Sequence, residues 1–283
     1  MSKVKKNKIL KAKDHLVSGE SFSIHWDPIH LRAWTAVEHL DSFDPYYESV
    51  DYISHRSKSE SLISFLYVLA RRFMLAYKYA LLKKHLQPNG RVLDIGCGTG
   101  SFLGLMKKKG FKVYGIENNP NARKICIESN LEVLATLSEL PSESFDTISL
   151  WHVLEHLPLP ENSINIYHDL LQPTGLLIIA VPNFESHDRY HYQQDWAALD
   201  VPRHLWHFTA QGLIKTVQKI GFDLVKKRAL GLDVFYICYL SEKHRGKSIP
   251  FLRGLLKGIW FSLKSLLSGK HSSCVYIFRK RPL

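Results

Sequence analysis

One glycine-rich segment constrains the fold of this chain more than any other feature. Residues 92–100 read VLDIGCGTG, so a short apolar strand over 91–95 runs directly into a loop with glycine at every second position. Glycine lets a backbone turn sharply and lie against a ligand without an intervening Cβ. A helix is predicted from Ser101, and the N–H groups of its first turn face the loop. The segment therefore predicts a nucleotide-type cradle at the carboxyl end of the first parallel strand.

The glycine spacing and a later acidic residue narrow the ligand. The pattern is Gly-x-Gly-x-Gly and no Gly-Lys-Ser/Thr follows, which argues against a dinucleotide and against a P-loop triphosphate. A second strand over 111–116 leads into Glu117. An acid at the tip of the second strand is where a ribose diol is hydrogen-bonded in folds of this type.

The sequences DIGCGTG and GIENN resemble those of the class I S-adenosylmethionine-dependent methyltransferases. The resemblance implies S-adenosylmethionine as cofactor, with its amino-acid part in the glycine loop and its ribose hydroxyls on Glu117. Relatives often place an acid after the third strand to bind adenine, where this chain has Thr136 and Ser138. The residues expected on this basis to bind the cofactor are Asp94, Gly96, Cys97, Gly98, Gly100, Glu117, Asn118, Ser138, Trp151 and His152.

Strands and helices alternate through the centre of the chain, which predicts an α/β protein with a parallel sheet. The predicted strands are 91–95, 111–116, 131–135, 145–150, 175–181, 222–229 and 273–280. By resemblance, the last strand is antiparallel and inserts between the fifth and sixth. The expected fold is thus a Rossmann-like, seven-stranded, mostly parallel sheet with helices on both faces and an N-terminal extension.

The chain divides into three predicted regions. Residues 1–13 are expected to be a disordered basic tail. Residues 14–88 form an N-terminal extension that ends in a cap helix over 59–86, where apolar residues recur at helical spacing. Residues 89–283 form the methyltransferase domain, with a helical insertion over 230–271 before the last strand. Thr209 is predicted to cap a helix that runs to Ile220.

The net charge of +12 belongs to the two ends of the chain. Residues 1–13 carry six lysines and no acid, and residues 243–283 carry ten Lys/Arg and no acid. The remaining residues, 14–242, hold 22 basic side chains against 26 acidic ones. A nucleic-acid-binding protein is expected to have a basic stripe across its folded face, so this distribution argues against a nucleic-acid partner.

The cysteines and the apolar segments indicate the compartment. The four cysteines are scattered and form no C-x-x-C, which is typical of reduced thiols and not of a disulfide framework or a zinc site. No apolar stretch approaches the length of a membrane span, and the lysine-rich N-terminus lacks the apolar core of a signal peptide. We expect a cytoplasmic protein without a metal site, either a monomer or a homodimer.

The segment His152-Val153-Leu154-Glu155-His156 matches H-x-x-E-H, an inverted zinc-protease signature. That signature requires a helix that turns both histidines toward one metal, whereas here it follows a buried strand and precedes two prolines. The same residues resemble the segment after strand four of small-molecule O-methyltransferases, including those of quinone biosynthesis. In those relatives the tryptophan just before this segment, which corresponds to Trp151 here, and the histidine–glutamate pair border the cofactor and the acceptor.

A second cluster follows strand five in a connection that is long for a compact domain, which is typical of a lid or binding loop. It contains a D-x-P-R-H-L element that recurs in the same methyltransferase group. Its expected substrate-binding residues are Tyr190, Trp196, Arg203, His204 and His207. The alternative is that Arg203 pairs with Asp200 and the aromatic residues only pack.

Residues 250–267 have an apolar side, a basic side and no acid. This pattern resembles an interfacial helix that contacts an anionic membrane at its inner face. The alternative, a helix packed on the domain or in a dimer, is the commoner use of such a pattern.

The predicted activity is methyl transfer from S-adenosylmethionine to a small-molecule acceptor, as O-methylation of a sugar, lipid-linked or quinone-like compound. A hydroxyl acceptor requires a base, and a histidine suits that role. The candidate bases are, in order, His204, His152 and His156. The alternatives are an RNA or protein methyltransferase and a non-catalytic module that binds S-adenosylmethionine.

Overall fold

The computed structural model describes residues 7–37, 44–47, 62–142 and 144–282. The elements of the first half are β1 (Asn7–Lys13), β2 (Ser21–Asp27), β3 (Arg32–Thr35), α1 (Asp44–Tyr47), α2 (Leu62–Leu82), β4 (Arg91–Ile95), α3 (Ser101–Lys108), β5 (Lys112–Ile116), α4 (Pro120–Glu128) and β6 (Glu132–Leu134). Those of the second half are β7 (Phe145–Trp151), α5 (Pro160–Leu170), β8 (Leu171–Pro182), α6 (His187–Tyr192), β9 (Trp206–Phe208), α7 (Ala210–Ile220), β10 (Phe222–Ala229), α8 (Asp233–His244), α9 (Pro250–Ser268) and β11 (Ser273–Lys280).

Within these residues the larger sheet has seven strands in the order β10-β11-β8-β7-β4-β5-β6. Strands β4 to β8 run parallel to one another. Strand β11 is antiparallel to both of its neighbours, β10 and β8. The predicted Rossmann-like fold is therefore confirmed, including the position of its last strand.

Helices cover both faces of this sheet, which explains why its central strands are almost continuously apolar. On one face, the core combines strand side chains with Ile164 of α5 and Leu213 of α7. On the other face, it includes Leu82 of α2 and Leu103 of α3. The carboxyl ends of the parallel strands β4, β7 and β8 consequently lie at one edge of the sheet, between the two helical layers.

A second, four-stranded sheet has the order β1-β2-β3-β9 and is antiparallel throughout. The disordered tail predicted over 1–13 is therefore wrong for residues 7–13, and residues 1–6 lie outside the described residues. In β1, Ala12 is buried while Lys11 and Lys13 are exposed. The lysines that suggested a tail are the solvent side of an edge strand, where they discourage pairing with another chain.

Several predicted element ends match the structure. The side chain of Thr209 accepts the N–H of Gly212, so the predicted cap of α7 is confirmed. The cap helix appears as α2, which ends at Leu82, and residues 59–61 lie outside the described residues. Two helices, α8 and α9, lie between β10 and β11. Among the described residues, none of the helices combines the length and apolar content that crossing a bilayer requires.

Candidate functional site

The three glycines of the loop after β4 all have positive φ: 63° at Gly96, 56° at Gly98 and 72° at Gly100. A Cβ on Gly96 would lie 2.7 Å from Val153 Cγ2, and one on Gly100 would lie 2.5 Å from Leu131 Cδ1. A Cβ on Gly98 would meet nothing within 4 Å. The outer two glycines are therefore needed by packing, whereas the middle one faces open space.

That open space is a cleft of about 230 Å³ between the loop, the end of β7 and helix α2. Five of the predicted cofactor-binding residues line it, namely Asp94, Gly96, Cys97, Gly98 and Trp151. The cleft is also lined by Met74, Leu75, Lys78, Ser101 and Phe102. The local motif and the helix that precedes it thus form one site.

The cleft presents opposite charges. Asp94 is 2% exposed and accepts a hydrogen bond of 2.6 Å from Ser149 Oγ. Burial raises the pKa of the Asp94 carboxyl to about 7. The Lys78 ammonium lies 4.0 Å from the centroid of the Trp151 ring, and burial lowers the pKa of this lysine. The buried Nε1 of Trp151 makes no hydrogen bond within the described residues.

Glu117 closes β5 beside the glycine loop. One of its oxygens accepts the N–H of Gly98 at 2.7 Å, and the other accepts the N–H of Asn119 at 2.9 Å. A carboxylate has about four acceptor positions, so it retains capacity for two further donors. Asn118 is exposed beside it, and Ser138 is exposed on a 3₁₀ turn after β6.

His152 follows β7 in a left-handed backbone conformation, with φ of 58°. Its Nε2 lies 3.1 Å from an Asp233 oxygen, and its Nδ1 lies 3.3 Å from Glu155 Oε1. Burial opposes the charged ring, but the two carboxylates outweigh it and raise the pKa of His152 to about 10. Because a protonated ring has no lone pair for a proton, this raised pKa disfavours His152 as a base.

His156 and His204 meet with their rings edge to face, at a centroid distance of 4.6 Å. The Nδ1 of His156 is 3.0 Å from the Arg203 carbonyl, and the Nδ1 of His204 is 2.9 Å from the Ala198 carbonyl. Since a carbonyl only accepts, Nδ1 carries the hydrogen in both rings. Burial, followed by the charge on His204, lowers the pKa of His156 to about 4.

Glu155 lies beside these rings and is 1% exposed. Apart from the 3.3 Å ion pair of Oε1 with His152, neither of its oxygens has a hydrogen-bond partner within the described residues. The ligand atoms of Glu155, His156 and His204 lie within 4.8 Å of one another, a donor set that suits a divalent cation. Two nitrogen or oxygen atoms bonded to the same zinc ion are at most about 4.2 Å apart, so atoms separated by 4.8 Å would have to move closer together to share one ion.

The H-x-x-E-H segment is not a zinc-protease helix, because a 3₁₀ turn over Leu154–His156 follows His152, whose backbone is left-handed.

Three of the predicted substrate-binding residues are buried with partners inside the protein, which favours a structural role for them. Arg203 is 1% exposed, and its Nη2 donates to Asp14 at 3.0 Å and to Asp200 at 2.7 Å. Trp196 Nε1 donates to Asp188 at 2.7 Å, and His207 Nε2 lies 3.0 Å from Thr35 Oγ1. The pairing of Arg203 with Asp200 is the alternative that the sequence left open.

The other two predicted substrate-binding residues are differently placed. His204 is 8% exposed and borders, together with Phe184 and Trp206, a crevice at the end of β8 that is too narrow for a water molecule. Tyr190 is 53% exposed on α6, with Lys270 near its ring. His204 and His207 both line this narrow crevice, and His204 is the one whose Nδ1 is bonded to a backbone carbonyl, that of Ala198.

A family model described as a methyltransferase domain matches residues 67–227, which is more than half of the chain. The chain belongs to the methyltransferase domain family. This membership confirms the predicted class I S-adenosylmethionine-dependent methyltransferase and the predicted cofactor. The match covers the glycine loop, both histidine clusters and most of the seven-stranded sheet.

Individual relatives of this methyltransferase match over shorter lengths or at lower identity. Ubiquinone biosynthesis O-methyltransferase from Xanthomonas campestris pv. campestris is 33% identical over 106 residues, which are 34% of this chain and 44% of that protein. The chain thus spans less than half the length of the curated relatives it matches.

Two solved structures share the fold. A SAM-dependent methyltransferase from Thermotoga maritima is 21% identical, with a TM-score of 0.51 over 75% of this chain and 92% of the other. An S-adenosylmethionine-dependent methyltransferase from Mesorhizobium loti is 16% identical, with a TM-score of 0.50 over 72% and 97%.

The cleft of this methyltransferase fits S-adenosylmethionine, whose amino-acid end carries an ammonium and a carboxylate. Gly98 leaves space for a ligand, Asp94 and Lys78 offer a negative and a positive group, and Trp151 has an unsatisfied buried donor. Among these groups, sequence reasoning missed Lys78. The available signal is that Lys78 follows Met74 by four residues and Leu75 by three, so it lies on a helix face that is otherwise apolar.

Proposed function

We propose that this chain transfers a methyl group from S-adenosylmethionine to the hydroxyl of a small-molecule acceptor. The observation that carries the proposal is the open cleft beside Gly98, with charged groups of both signs on its walls. Its position at the carboxyl ends of β4 and β7 is where ligands bind in open α/β sheets. The acceptor class that we propose is a sugar, lipid-linked or quinone-like compound.

The cofactor would be held by complementary groups of the chain. Asp94 would accept from the ammonium of its amino-acid end, and Lys78 would pair with the carboxylate. Glu117 would use its remaining acceptor positions for the ribose hydroxyls. Ser138 stays the predicted neighbour of adenine, and Asn118 stays a predicted cofactor-binding residue. When bound, the sulfonium supplies an electrophilic methyl group, so the chain needs only to orient the acceptor and exclude water.

The acceptor proton would pass to His204. Its Nδ1 donates to the Ala198 carbonyl, so the neutral ring carries its lone pair on Nε2. Asp200 lies 3.9 Å from that nitrogen, and the buried carboxylate of Glu155 lies nearby, so the imidazolium formed by proton transfer is stabilised. His156 is the weaker candidate because its low pKa disfavours the proton.

Two observations support a lipid-borne or quinone-like acceptor in a cytoplasmic enzyme. The curated relatives are named ubiquinone biosynthesis O-methyltransferases. The helix over residues 250–267, which was proposed from sequence as a peripheral membrane contact, exposes its apolar side chains in the structure. The four cysteines are all free thiols, which accords with a reducing compartment.

The test is the formation of S-adenosylhomocysteine, with catechol as the probe for a hydroxylated aromatic acceptor. We expect product that depends on catechol, and we expect His204→Asn to lower kcat at least tenfold while the Kd of S-adenosylmethionine is unchanged. His30→Asn, which changes an exposed histidine on the N-terminal sheet, is the matched control. Product that depends on added RNA and not on catechol would contradict the proposal and support the RNA methyltransferase alternative.

A further inference from the structure

Helix α9 packs on the domain mainly through small residues. Its buried positions are Gly254, Gly258, Phe261 and Ser265, which follow one another at intervals of four, three and four residues. A Cβ on Gly254 would lie 2.6 Å from the backbone of Tyr239, and one on Gly258 would lie 2.5 Å from the Phe235 ring. These contacts hold α9 close against α8, and they use only a narrow stripe of the helix.

The large apolar side chains of α9 point away from the protein. Leu256, Trp260, Leu263 and Leu267 repeat the spacing of the buried stripe, displaced by two residues. Two residues correspond to about 200° around a helix, so the two stripes lie on opposite sides. Nine of the nineteen residues of α9 are exposed large hydrophobics, with Leu267 at 95% and Leu266 at 74%. A patch of this kind marks an interaction surface.

The charges beside this apolar face are all positive. Arg253, Lys257 and Lys264 lie on one flank of α9. Each directly follows an exposed leucine in the sequence, and α9 contains no acid. Arg253 is paired with Glu242 of α8 at 2.7 Å, so Lys257 and Lys264 carry the charge of the exposed flank. A second copy docked on the same face would bring these cations together without a counter-charge, whereas an anionic surface would complement them.

We propose that α9 lies flat in the interface of an anionic lipid bilayer, with the Leu256, Trp260 and Leu263 side inserted and the lysine flank at the headgroups. In one respect the proposal rests on the proposed function, because the bilayer would be the source of the lipid-borne acceptor proposed there.

The contacts of α8 and α9 connect this face to the catalytic region. Asp233, at the start of α8, bonds His152 at the edge of the cleft. Ser268, at the end of α9, bonds His187 of α6, the helix that opens the connection carrying His204. Helices α8 and α9 therefore connect the proposed bilayer face to His152 and to the connection that carries His204.

Vesicle co-sedimentation tests the proposal, with vesicles of phosphatidylglycerol and phosphatidylcholine compared with vesicles of phosphatidylcholine alone. We expect the full chain to sediment with the anionic vesicles, and the double variant Leu256→Asp/Leu263→Asp to bind them at least tenfold more weakly. The matched control is Ile127→Asp/Ile166→Asp, which changes two exposed apolar residues of α4 and α5. Lys257→Gln/Lys264→Gln should remove the preference for the anionic lipid.

Trp260 gives a second readout. Lipids brominated in their acyl chains should quench a component of the fluorescence of the wild type that is absent from Trp260→Phe. Equal sedimentation with and without vesicles would overturn the proposal, as would equal weakening by both double variants. A dimer in solution that Leu256→Asp/Leu263→Asp dissociates, without vesicle binding by the wild type, would assign the face to a second copy instead.

Calorimetry with S-adenosylmethionine separates this proposal from the proposed function. We expect Leu256→Asp/Leu263→Asp to bind the cofactor as the wild type does, which also shows that the variant is folded. A wild type that binds anionic vesicles but no cofactor would leave the docking surface standing and reject the proposed enzyme.

Discussion

The cofactor side of this molecule and the acceptor side that we propose are built in different ways. At the centre of the cofactor side is one local segment, in which a strand, three glycines with positive φ and the start of a helix follow one another directly, and Lys78 and Trp151 complete the cleft. The acceptor side assembles the N-terminal sheet, the connection after β8 and helices α8 and α9, which are distant in sequence. A local motif can be recognised in one sequence, whereas a surface that is assembled from distant segments cannot.

The polar groups of the two sides differ in whether they have hydrogen-bond partners within the chain. In the cofactor cleft, the Trp151 donor has no partner among the described residues, and Gly98 leaves space in the same cleft. On the acceptor side, Arg203, Trp196 and His207 already have partners within the chain. Buried groups without a hydrogen-bond partner within the described residues, which on the acceptor side include the Glu155 carboxylate, are candidates for ligand binding, whereas paired groups can hold the structure. Each prediction below tests which of the two roles a residue has.

The largest expected effect is on stability. Replacing Arg203 with methionine leaves the carboxylates of Asp14 and Asp200 buried without their cation, which should lower the free energy of unfolding by about 3 to 5 kcal/mol. Urea denaturation measures this change. Arg245→Met, at the more exposed pair with Asp195, should cost about 1 kcal/mol and serves as control. An unchanged free energy of unfolding with a raised KM for the acceptor would return Arg203 to substrate binding.

The next effect is on cofactor affinity. Lys78→Met removes the cation of the cleft, and the loss of one charged hydrogen bond of about 1.5 kcal/mol corresponds to about tenfold weaker binding of S-adenosylmethionine. Calorimetry measures the Kd. Lys83→Met, an exposed lysine just beyond α2, should bind as the wild type does. Equal affinity in Lys78→Met and the wild type would remove Lys78 from the site.

A smaller effect is expected where the two sheets meet. Thr209 Oγ1 accepts the N–H of Gly212 and donates to the Leu31 carbonyl at 2.6 Å. Thr209→Ala should therefore lower the free energy of unfolding by about 1 kcal/mol, whereas Thr209→Ser keeps the hydroxyl and should retain most of the stability. Thermal denaturation at two protein concentrations measures both. Equal losses in the two variants would show that the methyl group, and not the cap, stabilises this junction.

The smallest effect should appear in the pH dependence of stability, because the His152 side chain is 36% exposed and solvent screens its charge. Its pKa is raised from 6.5 to about 10, so its contribution is complete below pH 6.5 and is lost as pH rises toward 10. The wild type should lose more stability between pH 7 and pH 10 than His152→Gln does. Parallel losses would show that Asp233 and Glu155 do not hold the ring protonated.

The sequence predicts those features that depend on local pattern. The alternation of strand and helix, the Thr209 cap and the glycine loop all follow from neighbouring residues, and the structure confirms each. Strand β1 is missed because its lysines resemble a tail, and only pairing with β2 makes their alternation meaningful. Sequence likewise cannot show that Arg203 meets Asp14, which is 189 residues away.

Helix α9 shows a second limit of prediction from sequence, because the side that is buried is not the side that the pattern favours. Its apolar side is visible in the sequence, and burial of that side is the common expectation. The structure instead buries Gly254 and Gly258, because the glycines allow α8 to approach more closely than leucines would. Which side of an amphipathic helix packs therefore depended on a partner helix that periodicity does not reveal.

Calorimetric titration with S-adenosylmethionine and S-adenosylhomocysteine tests the central claim most directly, that the cofactor binds over the loop at Gly98. The wild type and Gly104→Arg, which fills open space on α3 outside the cleft, should bind with similar micromolar affinity, whereas Gly98→Arg should show no measurable heat. Equal binding by Gly98→Arg and Gly104→Arg would contradict the account.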